Sequence, residues 1–115
     1  PLLAGNLAQS VKIYQYLLAA GEPDSLILWT LSKEMRLLMQ LFEQPHNALQ
    51  LGIWKTKVSQ YQQALRRLNP QQFLTWPNLV LRIDAAIKGM SKENSEQLML
   101  QAVAELCGTQ LFHTV

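Results

Sequence analysis

Asp84 and Lys88 stand four residues apart in the stretch RIDAAIKGM, a spacing that puts both side chains on one helical face. An acid and a base so placed can move a proton to or from a substrate, provided that burial in a pocket brings their pKa values to the working pH. The same spacing gives an ordinary exposed ion pair, with a contribution of about 0.2–0.5 kcal/mol. Nothing else in the sequence supplies the pocket, so the ion pair is the expected outcome. Cys107 is the only cysteine and excludes an internal disulfide; its place at the end of an apolar helical stripe suits a small core residue rather than a reactive thiol. His46 and His113 are too far apart to suggest a metal-ligand pair. The serines, threonines and histidines form no nucleophile–base pattern, and the glycines at 5, 21, 52, 89 and 108 form no phosphate-cradling loop. No catalytic, cofactor-binding or metal-ligating residue is therefore assigned, and an enzymatic role for this chain is not expected.

Residues suited to holding a partner are easier to find. Glu34 lies beside the apolar stripe of its segment, between Leu31 and Leu38; there it is either a solvated rim carboxylate or a half-buried one that needs an arginine from another helix or another subunit. Lys33 and Arg36 are near in sequence but cannot fully share its face. Of the three tryptophans, Trp76 fits a core stripe, Trp29 is offset from the seam of its segment, and Trp54 falls in a loop beside Lys55 and Lys57. An unburied tryptophan or arginine is the kind of residue that anchors an interface. Glu34, Arg36, Trp54, Arg66 and Arg67 are the candidate interface residues. Lys55, Lys57, Arg66 and Arg67, flanking Trp54 and Tyr61, also admit an alternative: a nucleic-acid surface over the basic region 55–82, with cations for phosphates and rings for bases.

The elements that must position these residues repeat at helical spacing throughout, and none alternates as a strand would. A first helix is expected from about Asn6 to Ala20, ended by Gly21-Glu22-Pro23. A second begins at Asp24 or Ser25 as N-cap and carries the seam Leu28, Leu31, Met35, Leu38, Phe42, broadened by Ile27, Leu37 and Leu41, which makes it the expected most buried element. A short turn at about 48–51 leads to a helix over about 55–68. The next stripe, Phe73, Trp76, Val80, Ile83, Ile87, Met90, runs across Pro77, which would cost about 3 kcal/mol in a helix interior. The spacing therefore predicts a separate turn at about 71–75, with Thr75 as a possible cap, and Pro77 in the first turn of the main helix. Gly89 ends that helix, and Asn94 with Gln97 forms a capping-box pattern for the last one. The fold class is all-α: a compact bundle of about five to six helices with short loops.

At 115 residues the chain has the size of one domain and can bury roughly two-thirds of its unfolded surface. It is 49% apolar and only 16% charged, which excludes disorder and leaves part of the surface available to a partner. The net charge is +2, but the segment from Gln44 to Ile83 holds five basic residues and no acidic one. No membrane span or signal-like stretch is apparent, so a soluble, cytoplasmic protein is expected. The chain begins at Pro1 without an initiator methionine and reads as an excised fragment of a longer protein.

Five fragments taken in order carry a resemblance: LLAG at 2–5, GEPDSLILWTLSKEMRLL at 21–38, GIW at 52–54, YQQALRRLNPQQF at 61–73 and DAAIKG at 84–89. Together, over roughly residues 2–108, they resemble the C-terminal domain of the delta subunit of bacterial DNA polymerase III. That resemblance implies a collar domain of the clamp loader, the ATP-driven assembly within the DNA polymerase holoenzyme that opens the sliding clamp and places it on primed DNA. The implied partners are the other clamp-loader subunits, of gamma/tau and delta-prime type. The sliding clamp and primed DNA would be met only through the full-length protein or complex, because the nucleotide-binding-like and clamp-binding parts precede this domain.

Overall fold

The computed structural model describes residues 2–108, among which there are five α-helices and no strand: α1 (Leu7–Ala19), α2 (Asp24–Glu43), α3 (Val58–Arg67), α4 (Trp76–Ile87) and α5 (Ser95–Leu106). Two 3₁₀ segments, Lys55–Lys57 and Pro70–Leu74, lead into α3 and α4. None of these helices is long and apolar enough to cross a membrane. The all-α bundle is thus as the periodicity predicts, and the expected turn at 48–51 appears as one turn closed by Leu51 N–H donating to the Asn47 carbonyl at 3.0 Å.

The helix ends follow local chemistry. Asn6 Oδ1 accepts from Gln9 N–H at 3.1 Å to start α1, and Asn94 Oδ1 accepts from Gln97 N–H at 3.1 Å to start α5, each satisfying a donor that has no partner within the helix. α2 differs from expectation. Pro23, in extended conformation, occupies the cap position, its carbonyl accepts from Leu26 and Ile27, and Asp24 is already helical. Its carboxylate favours the positive helix end without capping it.

Pro77 lies in the first turn of α4, where its missing N–H would have had no helical partner. Thr75 holds the cap position, but its hydroxyl donates back to the Gln72 carbonyl at 2.8 Å instead of capping. The preceding 3₁₀ turn is closed by Asn69 and Gln72: Asn69 N–H donates to Gln72 Oε1 at 3.1 Å, and Asn69 Oδ1 accepts from Gln71 N–H at 3.0 Å.

α2 packs on α3, α4 and α5, as a seam with several neighbours requires. The helix buried over most of its circumference is nevertheless α5, held among α1, α2 and α4. Small Ala102 and Ala104 are fully buried there beside Leu98, Met99, Val103 and Leu106, and side chains this short let backbones approach closely. Two members of the expected stripes leave the core. Phe42 is half exposed at the end of α2, edge-on to Phe73 with ring centroids 5.3 Å apart. Met90 is exposed because Gly89, at φ 72°, reverses the chain after α4 and lets Met90 N–H close on the Ala85 carbonyl at 2.8 Å. Trp76 is fully buried and stacks at a tilt on Phe73, 4.9 Å between centroids.

Candidate partner interface

α2 and α3 bring Glu34 and Tyr61 together across 27 residues of sequence. The Tyr61 hydroxyl donates to Glu34 Oε2 at 2.7 Å. Tyr61 lies on the inward face of α3 because Ala64 and Leu68 continue that face into the core. Its burial, then the bond to Glu34 and the negative charge there, push the phenol well above its ordinary pKa. The partner that a half-buried Glu34 requires is therefore a phenol within the same domain, not the arginine from another helix or subunit that its position suggested. A charge-assisted bond of this kind contributes about 1.5–3 kcal/mol when shielded from solvent.

Around this pair lies a recess of about 190 Å³ lined by Lys33, Leu37, Gly52, Trp54 and Lys57. A second, of about 410 Å³, opens on the N-terminal side with Leu3, Thr30 and Gln63. Trp54 stands at the first recess with 76% of its surface exposed. Lys33 Nζ lies 5.6 Å from the centre of the Trp29 ring, itself more than half exposed. Two of the five residues expected at an interface, Glu34 and Trp54, thus share one recess. Arg36 and Arg66 are exposed and line neither recess.

Arg67 is otherwise engaged. Its Nη2 donates to the Leu3 carbonyl and ties the N-terminal turn to the end of α3. Gly5, at φ 77°, makes room for this, since a Cβ there would come within 2.7 Å of Arg67 Nε. Arg67 therefore serves the fold, and the glycine passes where a side chain would collide.

The residues considered for chemistry sit apart from this surface. Lys88 Nζ pairs with Asp84 Oδ2 at 2.9 Å with both side chains about half exposed, the ordinary helical ion pair. Cys107 is buried at the end of α5, its sulfur 3.6 Å from the Ser10 hydroxyl. His46 is exposed in the α2–α3 connection, and His113 lies outside the described residues. Among the described residues no three His, Cys, Asp or Glu side chains converge as metal ligands would.

A surface that sequence reasoning did not single out lies between α1 and α2. These helices are joined by the turn at 20–23, yet α1 rests on α5 and scarcely touches α2. An apolar cleft of about 350 Å³ opens between them. Ile13 and Leu26 are exposed at its walls; Leu26 lies off the seam expected of its helix, and that offset was the available signal.

Comparison of the chain with protein-family models, with curated proteins and with solved structures finds no match.

Proposed function

We propose that the chain is an oligomerisation module of the DNA polymerase III clamp loader, joining a delta-type subunit to the other loader subunits so that the sliding clamp can be opened and loaded on primed DNA. The observation that carries this reading is a completed core beneath a surface that still exposes large apolar groups: Trp54 is 76% exposed, Tyr16 72% and Trp29 59%. A tryptophan standing exposed at the mouth of a recess is the kind of group that an assembly contact buries as an anchor. The five ordered fragments resembling delta supply the identity of the assembly.

The test is reconstitution with purified gamma/tau-type and delta-prime-type subunits, followed by size-exclusion chromatography. The chain is expected to co-elute with them, and Trp54→Ala, which leaves the Tyr61–Glu34 bond in place, to weaken co-elution by about tenfold or more, on the order of one interface anchor lost. Failure of the unaltered chain to enter any such complex would remove the reading.

A further inference from the structure

We propose that the α1–α2 cleft is the docking groove for an amphipathic helix of a partner protein, seated by its apolar stripe and carrying a lysine or arginine at the end that meets Glu22. Shape is the first reason. Tyr14, Ile27, Leu31 and Val103 are buried and form the floor, while Ile13 and Leu26 rise as half-exposed walls. A floor of buried side chains between two diverging helices is the form of an apolar groove that receives a third helix through anchors at i, i+3, i+4 and i+7.

Charge is the second reason, and it gives the groove a direction. Among the described residues Glu22 is the only charged side chain lining it. Asp24, in the first turn of α2, and Glu96, in the first turn of α5, add negative charge that acts on Tyr14 at the floor. The lysines of the two helices stand outside: Lys12 lines a separate shallow depression with Ile13 and Tyr16, and Lys33 covers the Trp29 ring. An occupant with a cation at the turn end is therefore favoured over one with an anion there. The inference rests on the oligomerisation reading for the origin of the helix, while the groove can be tested without loader subunits.

Two synthetic helices of about 18 residues, long enough to hold helical structure, would share one Leu/Phe stripe and differ in ending on paired arginines or paired glutamates. Each is titrated into the chain by calorimetry and by amide NMR. The arginine-ended helix is expected to bind about tenfold tighter, with shifts confined to α1, α2 and residues around Val103. Glu22→Lys with Asp24→Lys should reverse the preference, and Leu26→Asp should abolish binding of both while amide spectra elsewhere stay unchanged.

Equal binding of the two helices, or shifts mapping to another face, would overturn the proposal. So would self-association of the chain in sedimentation that Leu26→Asp dissolves, which makes a second copy the occupant. Binding seen only after removal of residues 109–115 would make the chain's own end the occupant and overturn it likewise. If the chain assembles with loader subunits and Leu26→Asp assembles equally well, the groove proposal fails and the oligomerisation reading stands. If the chain does not assemble at all, that reading fails and the peptide titrations still decide the groove.

Discussion

Glu105 carries a charge that its surroundings do little to stabilise. Its Oε2 is buried without a hydrogen-bond partner, as are Gln72 Nε2 and the Trp76 indole nitrogen. Burial pushes the carboxyl above its ordinary pKa; the Gln72 amide faces it closely enough to offset part of this without completing a bond. A raised carboxyl pKa means that the folded state prefers the neutral form. That contribution is present below the unfolded pKa, roughly 4.3, and is lost as pH rises through the folded one. Glu105→Gln, neutral at every pH, should therefore be more stable than the unaltered chain at pH 7, by about 1 kcal/mol for a partly shielded group. Urea unfolding should show the gain at pH 7 and its near-disappearance below the carboxylate range; destabilisation at pH 7 would mean that the carboxylate has a partner. The phenols act at the other end of the scale. Burial, then the Glu96 and Asp24 charges, push Tyr14 up to about 12 from 10.0. Stability from the neutral ring is complete below its unfolded value and lost as pH climbs through the raised one. Thermal melts between pH 9 and 12 should show a decline for the unaltered chain that Tyr14→Phe makes shallower.

At the scale of elements, α4 joins a sequence expectation to a measurable consequence. Pro77 sits where a proline displaces no helical hydrogen bond, so Pro77→Ala should change stability by less than about 1 kcal/mol. Leu81→Pro, at an exposed position inside the same helix, should cost about 3 kcal/mol or more although the lost side chain packs on little. Equal costs in chemical denaturation would mean that Pro77 interrupts the helix after all. The contrast was legible in sequence because helix termini, prolines and left-handed glycines are local: Asn94, Pro77 and Gly89 each act within one turn. What periodicity could not reach depends on how the helices cross. Tyr61 meets Glu34 over 27 residues, and Arg67 meets Leu3 over 64; both contacts depend on placements that no stripe specifies. Phe42 and Met90 had the right spacing for the core but lie where their helices outrun a neighbour or end. The divergence of α1 from α2, which opens the apolar cleft, was hidden for the same reason.

For the molecule as a whole, the remaining question is what its regional basic charge does. The segment 44–83 holds five of the ten basic residues and none of the acids, yet the fold pairs one of the five with an acid. Arg82 forms a two-pronged pair with Glu93, its Nε 3.2 Å from Oε1 and its Nη2 on Oε2, whereas Arg67 donates to the neutral Leu3 carbonyl and keeps its charge at the surface. Lys55, Lys57 and Arg66 remain exposed, with Lys57 beside the Glu34 recess. These four cations can displace counterions from at most about four phosphates, so the logarithm of DNA affinity should fall with the logarithm of salt at a slope no steeper than about −3.6. Between 50 and 200 mM salt that amounts to a loss of about 150-fold or less, short of the thousandfold or greater loss of proteins that grip six or more phosphates. Fluorescence anisotropy with primed DNA and the isolated chain measures this slope directly. Replacing Lys55 and Arg66 by alanine should flatten it while leaving co-elution with the loader subunits intact, because the apolar contacts proposed to carry assembly are untouched. A slope steeper than about −5, abolished by the same two changes together with the loss of co-elution, would instead make the basic face the functional surface and the oligomerisation reading secondary to direct nucleic-acid binding.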